Sequence, residues 1–541
     1  MRDRRFVILW AVILMLLTSL PYLLGYAVQG EAWRFTGFVF GVEDGNSYIA
    51  KMTGGSAGAW LFRTPFSAYP QSGALAFLPY LLLGKLAAPP ALHEQLVALF
   101  HLFRLAGIGL TVWATWDFLG FWLPDRTLRR WGLVLATVGG GLGWLLTLTG
   151  NAAFLGDLPL EFYSPETFGF LALYGLPHLA VGRAFLLWAL LILARGERYS
   201  GWRAGLFLLG LGLMQPLTAA IAWMILAAVL TVGALWLWWR ACVTLAADWG
   251  AWRALLGRVG IAGVVSAPLV GYSVIKFATD PFLQLWTLQN RILSPNPLHY
   301  LIAWGWLLPL AVWGGWLLWR ADDVQTESGA FVMRLLPLAW ALLLPFLAYA
   351  PYNLQRRMPE GGFVALSVLA LVGLSRWQAQ NARVRRWGAR GLVLPLLPSA
   401  VFLLLGGALT VLNPALPLFR PADEVAVFTQ LAQVAQPGEV VLTAYETGNA
   451  LPAWAAVRVV IGHGPESARL EELRPRVAAF YAAETDSQAR WALLREFNIR
   501  YVFVGPAERA LGAWQPRAAD GFVRLFEQGE YAVYAVQFAN P

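Results

Sequence analysis

The chain has 541 residues, of which 58% are hydrophobic and only 13% charged, with a mean hydropathy of +0.56 and a formal charge of +9. A soluble domain carries nearly twice that share of charge, so a string of soluble domains is excluded. The positive charge does not indicate a nucleic-acid partner, because the arginines cluster in short loops between apolar runs and form no basic stripe with interleaved aromatics. The single cysteine, Cys242, can form no internal disulfide, and redox or structural-zinc chemistry has no support.

The basic start MRDRR leads into the apolar run 6–28. That run is long for the core of a cleaved signal and no clear A-x-A site follows it, so it reads as the first membrane helix. Further candidate spans fall at 95–118, 131–149, 170–194, 203–215, 218–240, 257–275, 299–320, 334–350, 361–376 and 391–412. Residues 203–215 are few, and Gln215-Pro216 breaks them from the next run, so the two could form a tight hairpin or one irregular element. Residues 74–88 are also apolar, but they contain Pro79 and Lys85 and end in Pro89-Pro90. They read as an interfacial helix on the outer surface.

Charge fixes the expected orientation. Arg126, Arg129 and Arg130 mark one loop, and Arg195, Arg198 and Arg203 the next on that side. Arg240, Arg253 and Arg258 follow, then the stretches Arg320 to Arg334 and Arg376 to Arg390. These loops and the N-terminus are predicted to be cytoplasmic. The external loops are then 29–94, 150–169, 276–298 and 351–360, with everything after 412.

After Asn413 the composition changes. GEVVLTA, RVVIGHG and YVFVGP read as short buried strands, residues 467–483 and 487–497 as amphipathic helices, and FVRLFEQGEYAVYAV as a closing hairpin. The fold class expected is an α-helical polytopic membrane protein of about eleven transmembrane helices, residues 1–412, with a small external α/β domain at 413–541.

The external loops hold the residues that could do chemistry. The first carries FTGFVFGVEDGNSYIAKM, in which Glu43 and Asp44 are adjacent, Tyr48 lies four residues after the aspartate and Lys51 follows. Acids at a membrane surface can simply be solvated. These lie in an apolar, Gly-rich stretch, however, where partial desolvation would raise a carboxyl toward general-base range. The second loop supplies Asp157, Glu161 and Glu166, with His178 and Arg183 in the helix after it. A lone histidine there could merely satisfy a backbone carbonyl, whereas ionisable groups within a span usually face a cavity or a partner. Acids converging from two loops could bind a divalent metal, Mg or Mn, though no ligand spacing demands one. In YNLQRRMPEGG, Arg356 and Arg357 run against the positive-inside pattern. They suit either snorkelling onto lipid headgroups or bidentate binding of a phosphate. Arg104, inside the second span, is expected to pair with an acid such as Asp117 or one in an external loop.

This ordered set resembles the GT-C superfamily of membrane glycosyltransferases, which includes protein O-mannosyltransferases, aminoarabinose transferases and the catalytic subunit of oligosaccharyltransferase. The resembling parts are Asp44 with Tyr48, the apolar stretch after them, the acids of the second loop, QRRMPEG and the GHGPES/YVFVGP tail. The resemblance implies a hexosyl or pentosyl transferase of the cell membrane, using a polyprenyl-phosphate sugar donor on the outer face with inversion. The acceptor would be a glycan, lipid or protein hydroxyl. Asp44 would be the general base, with Glu43 as runner-up. Arg356 and Arg357 would stabilise the leaving phosphate, while Asp157, Glu161 or Glu166 would orient the acceptor or hold a metal. Here Gly45 follows the acid where the mannosyltransferase pattern has a second one. Two other readings compete: a flippase for lipid-linked glycans, hinted at by Gln215-Pro216, and a non-catalytic assembly protein. GHGPES around His463 does not decide whether the external domain recognises the acceptor or only caps a cavity.

Overall fold

The computed structural model of the chain describes residues 2–244, 249–320 and 330–538, so most of the expected loop from Arg320 to Arg334 lies outside the described residues. The protein is a polytopic, mostly helical membrane protein with a small sheet domain toward its C-terminus. Among the described residues seven helices are long and apolar enough to cross a bilayer: Asp3–Val28, Leu92–Trp122, Pro177–Arg195, Pro216–Val243, Trp249–Thr279, Gly362–Gln380 and Ala382–Val411. Each coincides with one of the predicted runs.

The other four runs depart from straight spans, so length alone does not yield eleven. The run at 299–320 is bent by 79° between Pro297–Trp304 and Leu307–Arg320, and Gly305 at the break has a φ of +47°. The run at 131–149 divides into Arg126–Val138 and Gly143–Leu148. Between them Gly141 approaches Ala303 so closely that a Cβ would lie 2.5 Å from its Cα. Residues 203–215 form the helix Ser200–Met214. Gln215 alone separates it from Pro216, which opens the next helix in the position where a missing N–H costs least. Finally, 334–350 contains the 13-residue helix Leu336–Ala348. The apolar run at 74–88 yields only Leu78–Gly84, whose 7 residues reach roughly 10 Å and cannot cross.

By contact the chain forms two compact units. The first comprises Met1–Ser19, Phe103–Val274 and Ile292–Gly406; the second Leu20–Leu102, Ile275–Arg291 and Gly407–Pro541. The composition boundary near 412 thus falls close to where the chain enters the second unit for the last time, and that unit also takes in the first loop.

In the first unit, Leu307–Arg320 and Gly362–Gln380 meet at glycines. A Cβ on Gly314 would sit 1.9 Å from the Leu369 carbonyl oxygen, and one on Gly373 would sit 2.7 Å from the Leu310 oxygen. Small residues let helix backbones touch where lipid supplies no hydrophobic drive. Gly314→Val is therefore expected to force the pair apart, at a cost of about 1–3 kcal/mol or more because backbone cannot yield like a side chain. A lowered midpoint of thermal unfolding in detergent checks this, and an unchanged midpoint would contradict the packing.

In the second unit, β1 (Trp33–Phe35) pairs antiparallel with β2 (Phe419–Pro421), tying the first loop to the start of the C-terminal segment. Five further strands follow: β3 (Val440–Leu442), β4 (Arg458–Val459), β5 (Ile499–Val504), β6 (Phe522–Gln528) and β7 (Tyr531–Val536). They form one sheet in the order β4-β3-β5-β7-β6. The pairs β3–β4 and β3–β5 are parallel. The pairs β5–β7 and β6–β7 are antiparallel, and a two-residue turn with Gly529 at φ +54° closes the predicted hairpin. Leu470–Tyr481 and Ser487–Glu496 supply the predicted helices. Leu473, Val477, Phe480 and Leu494 pack with Leu442, Ile499 and Val502 in the core.

Candidate functional site

In the second unit the helix Val42–Ser56 carries Glu43 and Asp44 in its first turn, where the helix dipole and the unpaired N–H groups favour carboxylates. Gly41 precedes it at φ +55°, a conformation that favours glycine. The expected desolvation of the acids is absent: both are exposed, and the Asp44 side chain is 60% accessible. The apolar residues of the stretch, Val42, Ile49 and Met52, are buried on another face of the helix, so the surrounding sequence does not wall off the carboxylates.

Glu43 is nevertheless fixed. Its Oε1 accepts from the Tyr445 hydroxyl at 2.6 Å and from the Gly464 N–H at 2.7 Å. Next to it, Asp44 Oδ1 lies 3.4 Å from His463 Nε2. An ionised carboxylate only accepts, so Nε2 carries the hydrogen. Asn46 donates to Asn449 at 2.8 Å. One turn on, Lys51 is buried and its ammonium lies 2.7 Å from Glu466 Oε1. Ser47 and Thr64 donate to the same carboxylate at 2.8 and 2.6 Å. The Lys51 ammonium also faces the rings of Phe77, Phe62 and Tyr48, and Tyr48 stacks on Tyr80 with centroids 4.7 Å apart. Lys51 is thus a buried support of the helix, not a surface contact, and Tyr48 is half-buried.

Electrostatics follow from these neighbours. Burial disfavours charge on Glu466, but Lys51, His463 and the hydrogen bonds outweigh it, so its carboxyl is held below the ordinary range. Burial likewise opposes charge on His463, yet the Asp44 hydrogen bond and the charges of Glu466 and Asp44 raise its pKa above 6.5.

Three partners of the helix, His463, Gly464 and Glu466, come from GHGPES, residues 462–467. Gly462 and Gly448 make backbone-to-backbone approaches that no side chain would permit; a Cβ on Gly462 would lie 2.4 Å from Gly448. Ser467 Oγ accepts from the N–H groups of Gly462 and His463, closing the loop on itself. Gln289 braces it, donating to the Ser467 carbonyl and accepting from Arg469 N.

The other predicted residues lie in the first unit. Glu161 is buried, with Oε1 accepting from Gly143 N at 2.7 Å and from Ser399 Oγ at 3.2 Å. Glu166 is buried and pairs with Arg357 Nε at 3.3 Å. Arg356 lays its guanidinium over the Tyr163 ring at 4.4 Å. Both arginines belong to the turn Gln355–Arg357. Asp157 is exposed, and His178 is partly buried near the start of Pro177–Arg195. Arg183 is buried and grips Glu360 at 2.8 Å, donating also to the carbonyls of Pro165 and Glu166. Burial, opposed by Arg183, lifts the Glu360 carboxyl to about 7. Arg104 donates to the hydroxyls of Thr18 and Ser19, while the expected partner Asp117 accepts from the Trp188 indole.

The structure therefore brings Glu43, Asp44, Tyr48 and Lys51 together in one unit. It gathers Glu166, Arg183, Arg356 and Arg357 along one connected stretch of the other. His463, Glu466, Tyr445, Asn449 and Glu360 carry much of this geometry without having been predicted to. The available signal for the first two was a glycine-flanked histidine and a glutamate three residues beyond it. Among the described residues no three His, Cys, Asp or Glu side chains converge as metal ligands.

No family model and no curated protein matches the chain. Solved structures do. The archaeal oligosaccharyltransferase AglB from Archaeoglobus fulgidus, in complex with an inhibitory peptide and a dolichol-phosphate, aligns with a TM-score of 0.50 at 11% identity, over 91% of this chain and 69% of its own. The same enzyme in complex with Zn and sulfate aligns at 0.49 and 12%, over 90% and 67%. ArnT from Cupriavidus metallidurans, bound to undecaprenyl phosphate, aligns at 0.47 and 14%, over 97% and 98%. Through the first of these likenesses the chain shares its fold with the archaeal oligosaccharyltransferase AglB.

Proposed function

We propose that this protein is a membrane glycosyltransferase that moves a hexosyl or pentosyl group from a polyprenyl-phosphate donor to an acceptor hydroxyl on the outer face of the bilayer. The observation that carries the reading is Asp44. It is an exposed carboxylate at a helix N-terminus, held on one side by His463, beside a Glu43 whose oxygen is already committed. The shared fold supports it, since AglB was solved with a dolichol-phosphate and a peptide. A glycan, lipid or protein could present the hydroxyl.

In this reading Asp44 takes the acceptor's proton as its oxygen attacks the anomeric carbon. The bond from that carbon to the phosphate oxygen breaks, the polyprenyl phosphate leaves with the electron pair, and the configuration inverts. In the first unit, Arg356 and Arg357 are the cations suited to binding a phosphate. Arg357 suits the task because Glu166 fixes its Nε while over a third of its side chain stays accessible. Of the acids in the second loop, Asp157 is exposed, whereas Glu161 and Glu166 are buried and brace the loop. The N-terminus lies in the cytoplasm and the C-terminal segment outside.

The reading is tested by transfer from a labelled polyprenyl-phosphate sugar in proteoliposomes, comparing the unmodified protein with Asp44→Asn. Full retention by the variant would overturn the base assignment, and lipid translocation without transfer would favour a flippase. Arg357→Gln is expected to raise the donor KM about ten- to a hundredfold, the scale of a charged hydrogen bond. An unchanged donor KM would remove Arg357 from the phosphate site.

A further inference from the structure

Asp44 is the residue on which the proposed reaction turns, and a carboxylate on an exposed first turn would ordinarily sample several rotamers. Here one oxygen faces His463 Nε2 at 3.4 Å. His463 itself has no such freedom. It is 4% exposed, its backbone N–H is tied to Ser467 Oγ at 3.0 Å, and its ring lies 5.4 Å from that of Phe66. Its Nδ1 is buried without a hydrogen-bond partner among the described residues, so the ring's polar commitment is to Asp44 alone.

We propose that His463 is a positioning residue for Asp44: its Nε2–H holds the carboxylate in one rotamer, and its charge state sets how strongly that carboxylate takes a proton. The inference rests on the reading of Asp44 as the base. The charged groups acting on the ring are Asp44 and Lys51 from the Val42–Ser56 helix and Glu466 from its own loop. Glu43 of the same helix is engaged by Gly464 N and by Tyr445 of the neighbouring Tyr445–Ala450 helix, which also carries Glu446. The segment around Phe66 offers an apolar ring. Nε2 donates to Asp44 whether the imidazole is charged or neutral, so the rotamer persists across the titration. Only the field changes: a charged ring favours ionised Asp44 and weakens it as a base, and a neutral ring restores its strength. The transfer rate should therefore rise with pH through a midpoint above 6.5, the ordinary histidine value.

The test uses the full-length protein in nanodiscs with two readouts. The first is histidine NMR, with His463 assigned among the 5 histidines by loss of its signal in His463→Gln. Asp44→Asn alters an exposed residue and should lower the His463 midpoint; an unmoved midpoint overturns the contact. The second is the pH dependence of kcat. His463→Gln keeps a donor in a similar place but cannot titrate. It should retain transfer within about threefold while losing the rise above pH 6.5, and His463→Ala should lower kcat roughly ten- to a hundredfold with little change in KM. A wild-type pH profile in His463→Gln, or an unchanged kcat in His463→Ala, overturns the proposal. If Asp44→Asn keeps full transfer, it is the base assignment that falls; a shifted NMR midpoint with a wild-type pH profile in His463→Gln sinks the positioning role alone.

Discussion

Asp44→Asn is expected to lower sugar transfer by about 10²–10⁴, the usual contribution of a general base. The substitution is nearly isosteric and its Oδ1 can still accept from His463 Nε2, so the helix N-terminus and its contact should survive. What disappears is the capacity to take a proton from the acceptor as its oxygen attacks. The comparison that makes the result specific is Glu43→Gln, one residue away. Glu43 already accepts from Tyr445 and Gly464, and a glutamine carbonyl can keep both bonds. Its rate should fall less than about tenfold. Initial rates with a labelled polyprenyl-phosphate sugar in proteoliposomes decide the matter. An Asp44→Asn protein within twofold of the unmodified one, or a larger loss in Glu43→Gln, would move the chemistry elsewhere.

Lys51→Met should cost about 3–5 kcal/mol of stability, because it strands a buried carboxylate that keeps only its hydroxyl partners. Lys51 and Glu466 are 1% and 4% exposed and 2.7 Å apart, and the remaining donors to Glu466, Ser47 and Thr64, are neutral. Adding Glu466→Gln removes the stranded charge, and the double variant should recover part of the loss. Unfolding in detergent, followed by the four-way comparison, measures the coupling; simply additive losses would mean that the pair is not a unit. The pH dependence has two opposed limbs. Glu466 is held below its ordinary pKa of 4.5, so its contribution is complete above that value and is lost as pH falls through the depressed one. His463 is raised above 6.5, so its contribution is complete below that value and is lost as pH rises through the raised one. Stability conferred by this cluster should peak between the two.

What could be read beforehand divides along physical lines. Hydropathy located the long spans because a bilayer crossing demands a fixed apolar length, and alternation of short apolar runs with amphipathic helices exposed the C-terminal sheet. It could not show the bend after Trp304 or the break at Gly139 to Leu142, since those depend on backbone approaches to residues far away in sequence. At the site, Asp44 stood out as an acid in an outer loop, but the reason given for its activation did not hold. An apolar sequence context desolvates a side chain only if its apolar members share that side chain's face, and on this helix they do not. Lys51 and Glu166 were legible as ionisable residues near the acids. That each is buried with a counter-charge depended on Glu466 and Arg357, which lie far away in sequence.

The second unit is threaded from three separated stretches of chain, and this sets a timetable for its making. Glu43 is joined to Gly464 across 421 residues. At a synthesis rate of about 5–20 residues per second, roughly 20–85 seconds pass between the emergence of the helix that carries Asp44 and the arrival of its last partners. During that interval the Val42–Ser56 helix lacks GHGPES to lean on, and the Lys51 ammonium lacks Glu466. A chain halted before GHGPES should therefore be an inserted but immature protein, sensitive to proteases around residues 42–56. The acquisition of resistance there would report the moment at which the site is complete.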